Sequence, residues 1–260
     1  MVTKKGSVAR VYLPPDANCL LSVTDHCLSS QGYVNLIVID KQPQLQYLAA
    51  DEARRHCARG IGIWDWAGTE HSIGSDGPAG DALDIVLACA GDIPTMEMLA
   101  AAKLLRERVP TLRFRFVNVV DLMKLMPAND HPHGMSQGEF IEQFTADTHV
   151  VFAFHGYGAA VHGLIHGQAD ADRFHVRGYR EEGTTTTPFD MVVMNEMSRF
   201  HLAAEALRRS RRIPDGATDL ARHCDEMLQR HHAYVREHLE DMPEVVNWTW
   251  SSWTDRSARH

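Results

Sequence analysis

No apolar run in the chain approaches the ~20 residues that a membrane-spanning helix needs, so the sequence excludes a helical membrane protein. Cysteines are few and scattered. Cys19, Cys27, Cys57, Cys89 and Cys224 form no CxxC pair and are odd in number, which excludes a disulfide framework and a zinc ribbon. They read as reduced, mostly buried thiols in a reducing cytoplasm. Excess positive charge is missing as well: the formal net charge is −8, so general nucleic-acid affinity is not expected. Arg208–Arg212 (RRSRR) is a local basic cluster at a helix end, too small to form a groove-binding surface. The opening MVTKKGS has no apolar stretch behind it and does not read as a secretory signal. Gly60–Gly68 (GIGIWDWAG) lacks the third glycine of a dinucleotide fingerprint. What is present is a 260-residue chain, 44% hydrophobic, with core enough for one domain plus a helical appendage.

Taken in order, residues 8–13 (VARVYL) alternate and predict a short strand that Pro14 and Pro15 end. Asp16 caps a helix with apolar residues at Cys19, Leu20, Val23, Cys27 and Leu28, and Gly32 stops it. Asn35–Asp40 (NLIVID) reads as a buried parallel strand, completing a βαβ unit. Lys41 follows the carboxyl end of that strand, where open α/β sheets bind ligands and where a lysine suits an anion. The plainer reading of Lys41 is a solvated surface lysine. Asp51–Gly60 predicts a short helix with a glycine stop. Trp64 and Trp66 share one face of an extended segment and are expected to pack against a neighbouring domain or subunit. Residues 68–81, with four glycines and a proline, read as a surface loop.

Asp84–Ala90 (DIVLACA) predicts a third strand, and Pro94 opens an amphipathic helix ending near Val109. Residues 113–120 (RFRFVNVV) and 149–154 (HVVFAF) predict strands, with a Ser136-capped helix between them. His131 and His133 sit near Asp130 and invite a metal reading, but a second ligand set would have to come from His155, His162 or His166, and sixteen histidines make chance clusters common. Polar contacts near a site entrance are the expectation for this pair.

Phe174–Asn195 (FHVRGYREEGTTTTPFDMVVMN) is the stretch around which the rest is organised. A strand at 174–179, a charged turn and four threonines lead to Pro188, which suits the first turn of a helix. Thr187 caps that helix and Asp190 complements its positive end. Such a terminus is either a structural cap or an anion site. One long helix is expected over 189–209, a hinge over 211–216, and a last amphipathic helix over 217–239.

HVRGYREEGTTTTPFDM resembles the C-terminal signature of the phosphoketolases, thiamine diphosphate enzymes of the transketolase-like group. VYLPPDAN, VNLIVIDKQ, GIGIW-W, VNVVDLMKLMP, HPHG and YVREHLEDMPEVVNWTW are similar to the same family, over about residues 8–250. The chain departs from it after His155-Gly156-Tyr157, where glycines stand in place of larger and basic residues. The resemblance implies a three-layer α/β/α domain with a mostly parallel sheet of about five strands and an antiparallel edge, like the C-terminal domain of transketolase. It implies an α/β domain over 1–212, a packed helical extension over 213–250 and a disordered tail over 251–260. It makes Lys41, in the KQ motif, a ligand for substrate phosphate, and assigns no catalytic, cofactor-binding or metal-binding residue to this chain. Gly91-Asp92 is similar to the start of the GDG…N metal motif but lacks the spaced asparagine. The domains that hold thiamine diphosphate and Mg are absent, so the chain alone is expected to be inactive. The full enzyme would convert xylulose 5-phosphate or fructose 6-phosphate, with inorganic phosphate, to acetyl phosphate and an aldose phosphate. The expected partners are its N-terminal and middle domains, the sugar phosphate and a second copy in a dimer, with no nucleic acid or membrane. The alternative is an independent, non-catalytic α/β module that binds an anionic metabolite or regulates a partner. The face that would meet the missing domains separates the two: apolar in the first case, charged in the second.

Overall fold

The computed structural model describes residues 6, 8–70, 83–168, 170–180, 183 and 185–250. The predicted tail over 251–260 and most of the glycine-rich loop lie outside the described residues. The amino-terminal unit is β1 (Ala9–Tyr12), α1 (Ala17–Ser29) and β2 (Val34–Ile37), followed by α2 (Ala50–Arg59) and β3 (Ile61–Ile63). The middle of the chain forms β4 (Ile85–Ala90), α3 (Asp92–Arg108), β5 (Phe114–Val119), α4 (Gln137–Phe144), β6 (Val150–Phe154), α5 (Gly158–Ile165) and β7 (Phe174–Gly178). Four helices close the fold: α6 (Pro188–Met194), α7 (Arg199–Arg209), α8 (Ala217–His238) and α9 (Pro243–Val246).

The main sheet has five strands in the order β3-β5-β4-β6-β7. Its pairs are parallel except for β3, which runs antiparallel to β5 with Ile61 opposite Val119. Alternation along each central strand sends side chains to two separate cores. Ile85, Leu87 and Cys89 of β4 face one core with α3, α7 and α8, and Val86, Ala88 and Ala90 face the other with α4 and α5. The result is helices on both faces of a mostly parallel sheet, the architecture that βα alternation demands.

Three expectations change. The NLIVID strand is shorter, half-exposed and outside the main sheet: β2 pairs only with β1, Val34 opposite Ala9, in a separate two-stranded sheet. Its apolar run could not by itself say which sheet it joins, and β1 is linked to the large sheet by the Leu13 N–H bond to the Val120 carbonyl (2.7 Å) and the Tyr12–Asp121 bridge. The long helix over 189–209 is broken into α6 and α7, because Glu196 adopts φ of 51° and Ser198 starts a new helix. The tryptophans serve the chain's own core. Trp64 is buried and stacks on Trp66 (5.1 Å between centroids) and Phe116 (5.7 Å), while Trp66 meets Trp250 edge-on (5.5 Å).

Capping follows the sequence at Asp16 and Ser136, whereas Thr187 stands at the start of α6 without a cap hydrogen bond from its own side chain. Asp16 accepts from the Cys19 amide (2.8 Å) at the start of α1, and its other oxygen accepts from the amides of Tyr47 (3.0 Å) and Leu48 (2.9 Å). One buried carboxylate therefore fixes both α1 and the loop that follows Lys41.

Candidate functional site

In a sheet ordered β3-β5-β4-β6-β7 the chain leaves β4 toward β5 on one side and later returns as β6 on the other. The carboxyl ends of β4 and β6 are thus the point where strand order reverses, where such sheets form ligand crevices. Gly91 follows β4 with φ of 105°, and a Cβ there would lie 2.7 Å from the Cβ of His155. Only glycine permits both that backbone and that approach. Asp92 then begins α3, and its Oδ1 accepts from the Ile93 amide (2.8 Å) and lies 3.0 Å from His155 Nδ1. Burial pushes the Asp92 carboxyl up, but the hydrogen bonds from His155, Asp40 and Ile93 outweigh it and hold the group below the usual carboxylate range. The Tyr179 ring, just past β7, stands edge-on to the His155 ring at 5.3 Å.

The second oxygen of Asp92 accepts the Asp40 backbone N–H. Asp40 in turn takes the Lys41 amide (2.7 Å) and the Gln44 side-chain amide (2.7 Å) on its own carboxylate. Lys41 therefore stands over the carboxyl edge of the main sheet, exposed and without an ion pair among the described residues. It arrives there through the Asp40–Asp92 bond, since its own strand belongs to the smaller sheet. The sequence reading put Lys41 after a strand of the main sheet, whereas that strand belongs to the smaller one, and it missed the Asp92–His155 pair. The available signal was that Asp92 and His155 each follow within two residues of a fully apolar strand.

The family described as XFP C-terminal domain matches residues 41–250, and the family described as D-xylulose 5-phosphate/D-fructose 6-phosphate phosphoketolase matches residues 1–30. This chain belongs to the phosphoketolase C-terminal domain family. A probable phosphoketolase of Rhodopseudomonas palustris (strain BisB5) is 55% identical over 250 residues, 96% of this chain and 31% of the relative. A probable phosphoketolase of Gloeobacter violaceus is 51% identical over 96% of this chain and 30% of the relative. The chain thus spans about a third of the length of the curated relatives it matches. Among solved structures, transketolase from Leishmania mexicana aligns over 80% of this chain and 26% of its own, with a TM-score of 0.53 at 16% identity. A split-gene transketolase, described as an inactive beta4 tetramer, gives a TM-score of 0.52 at 14% identity over 77% of this chain and 57% of its own. At such identities these two establish the fold, a transketolase C-terminal-like α/β domain.

Other features that the sequence singled out in this phosphoketolase domain have structural partners. His133 Nδ1 lies 2.5 Å from Asp121 Oδ2, and Arg10 Nε donates to His133 Nε2 (3.2 Å). His131 is buried beside Arg10, 3.3 Å from its Nη1, and burial pushes its pKa down. The two histidines thus tie β1 to the loop after β5, and no cluster of three candidate metal ligands occurs among the described residues. The RRSRR cluster is largely spent on carboxylates: Arg209 Nε lies 2.9 Å from buried Glu205, Arg212 Nε 2.8 Å from buried Asp84, and Arg208 and Arg211 pair with Glu205 and Asp147.

The threonine loop resolves the choice between cap and anion site. Asp241, just past α8, accepts from the Thr187 hydroxyl (2.5 Å) and from the Phe189 amide (2.9 Å). Asp190 accepts from the Thr186 hydroxyl (2.6 Å), and His231 of α8 lies 3.1 Å from its other oxygen. The positive end of α6 is already occupied by the chain's own carboxylate.

Proposed function

We propose that this chain is the C-terminal part of a phosphoketolase that cleaves xylulose 5-phosphate or fructose 6-phosphate with inorganic phosphate, giving acetyl phosphate and an aldose phosphate. In this reading residues 1–212 are the α/β domain and 213–250 its helical extension, and together they scaffold a cytoplasmic dimer and close the substrate channel. Lys41 contacts the substrate phosphate as a point charge.

Thiamine diphosphate and its metal belong, in this reading, to the parts of the enzyme that precede this chain. The residues present here do not fit them. Asp92, the carboxylate of the Gly91-Asp92 turn, already has its oxygens engaged by His155 and two backbone N–H groups.

The observation that carries this reading is an apolar surface on the amino-terminal unit. Leu21, Leu28, Tyr33, Val34, Leu36 and Ile39 are all exposed, Leu28 to 83% and Leu21 to 69%. Single exposed apolar residues are ordinary, but six within one short βαβ unit mark a surface that is covered in the working protein. The occupant we assign is the preceding part of the phosphoketolase, because residues 1–30 match the profile of that larger enzyme and the relatives extend well beyond this chain. An independent module would carry charge on this face.

The test is acetyl phosphate formation from fructose 6-phosphate and phosphate, with thiamine diphosphate and Mg²⁺. The chain is assayed alone and combined with the remaining two-thirds of a close relative. Activity is expected only in the combination, with Lys41→Ala raising KM for the sugar phosphate at least about tenfold. Activity of the chain alone, or an unchanged KM in the Lys41 variant, would remove the corresponding part of the proposal.

A further inference from the structure

A second feature stands at the carboxyl edge of the sheet, on the β5 side, and no residue of the Lys41 loop lines it. It is a cleft of about 570 Å³ between α1, α2 and the turn after β5. That volume falls within the range of metabolite sites. We propose that this cleft binds a small, hydroxyl-bearing phosphate monoester.

Three observations point there. The first is charge. Arg59, the last residue of α2, and Lys124, in the turn after β5, both line the cleft, and neither has an ion pair among the described residues. Gly60 brings the Lys124 stem close: a Cβ there would meet Lys124 Cγ at 3.2 Å. The carbonyl end of α2 contributes about half a negative charge to the same place, which two full cations outweigh. Arg54, also in the lining, is committed to Asp51 at 2.9 Å.

The second is an unspent donor. Tyr12 lines the cleft and is only 4% exposed, yet its hydroxyl has no hydrogen-bond partner. An orphaned polar group at that depth carries a desolvation penalty of about 1–3 kcal/mol, which a ligand oxygen would relieve. Burial, followed by the nearby Asp121 charge, pushes the phenol pKa up, so the group is a donor at neutral pH.

The third is the disposition of the acids. Both oxygens of Asp121 are already hydrogen-bonded, one to His133 (2.5 Å) and the other to the Met123 amide (2.9 Å). Asp25 is exposed at the lining, opposite in sign to Arg59 and Lys124. A ligand with a phosphate at one end and hydroxyl donors at the other matches that polarity, whereas a bare phosphate leaves Asp25 unused.

The experiment is calorimetric titration of this chain with glucose 6-phosphate and glycerol 3-phosphate, with glucose as the uncharged control. Saturable binding of either ester is expected, with none for glucose. An Arg59→Gln/Lys124→Gln double variant should bind at least about tenfold more weakly, and Tyr12→Phe about threefold or more, while Lys41→Ala binds as the wild type. The Tyr12→Phe change removes a single oxygen with no partner, so it preserves the fold. No binding of either ester, equal binding of glucose, or unchanged affinity in both cleft variants would overturn the proposal. Loss of binding in Lys41→Ala alone would also overturn it and assign the phosphate to the other loop. The Lys41 reading is tested separately, by KM in the combined enzyme, so the two fail independently.

Discussion

Asp241 holds Thr187: the carboxylate takes the threonine hydroxyl at 2.5 Å through one oxygen and the Phe189 amide at 2.9 Å through the other. Fifty-four residues separate the partners in sequence. The bond clasps the segment after α8 onto the threonine loop and supplies the N-terminal cap that Thr187's own side chain does not provide for α6.

Asp241→Ala should therefore cost about 1–2 kcal/mol, the usual price of a lost cap, read as a shift of the urea unfolding midpoint with an unchanged slope. Thr187→Val, which removes one of the two bonds, should cost less. Equal midpoints for Asp241→Ala and wild type would mean that the clasp is ornamental.

His56 sets an acid limit on stability. It is buried in α2 with Nε2 2.8 Å from Asn118 Oδ1, and Asn118 passes the bond to Thr95 Oγ1 at 3.0 Å. Burial lowers its pKa from 6.5 to about 4, against the raising effect of the Asn118 bond. The folded pKa lies below the unfolded one, so the fold holds the neutral imidazole. This contribution is fully present above pH 6.5 and is lost as pH falls from 6.5 toward 4, on the order of 3 kcal/mol in all. His175 is lowered to about 4 by burial and by Arg209, but it is only partly buried and adds a smaller slope in the same window. Denaturant unfolding at pH 7 and pH 4.5 should show wild type losing clearly more stability than His56→Gln. Parallel losses would contradict the assignment.

Glu97 and Arg199 form a buried ion pair between α3 and α7. Arg199 Nη2 and Nε reach the two carboxylate oxygens at 2.7 and 3.0 Å, and the Arg199 amide donates at 2.7 Å. The guanidinium also lies 5.4 Å from the Phe189 ring and 5.2 Å from the Trp248 ring. Arg199→Met strands a carboxylate with no exposure and should destabilise by about 3–5 kcal/mol, whereas Glu97→Leu/Arg199→Met should recover most of that loss. The checks are thermal midpoints of the two single variants and the double. A double variant as unstable as Arg199→Met would mean that the pair itself, and not the stranded charge, carries the stability.

The amino-acid sequence by itself determined the local units. Asp16, Ser136 and Pro188 mark helix starts that appear within a residue or two of where they were read. The apolar runs ending at Ala90 and Phe154 are central strands because they are apolar on both faces, which only a sheet covered twice tolerates. The family signature is also local, since it rests on contiguous residues such as the four threonines. Strand partnership was decided by the tertiary structure. NLIVID and DIVLACA look alike as strings, and one lies exposed on a small sheet while the other centres the large one. A run of apolar residues encodes the wish to be covered and says nothing of what covers it. In the same way Asp92 and His155 stand 63 residues apart, and Thr187 and Asp241 meet only through the packing of α8. Carboxylates at such distances have no periodicity to betray them. Their partners are fixed by strand order and helix packing, which arise from the whole core at once.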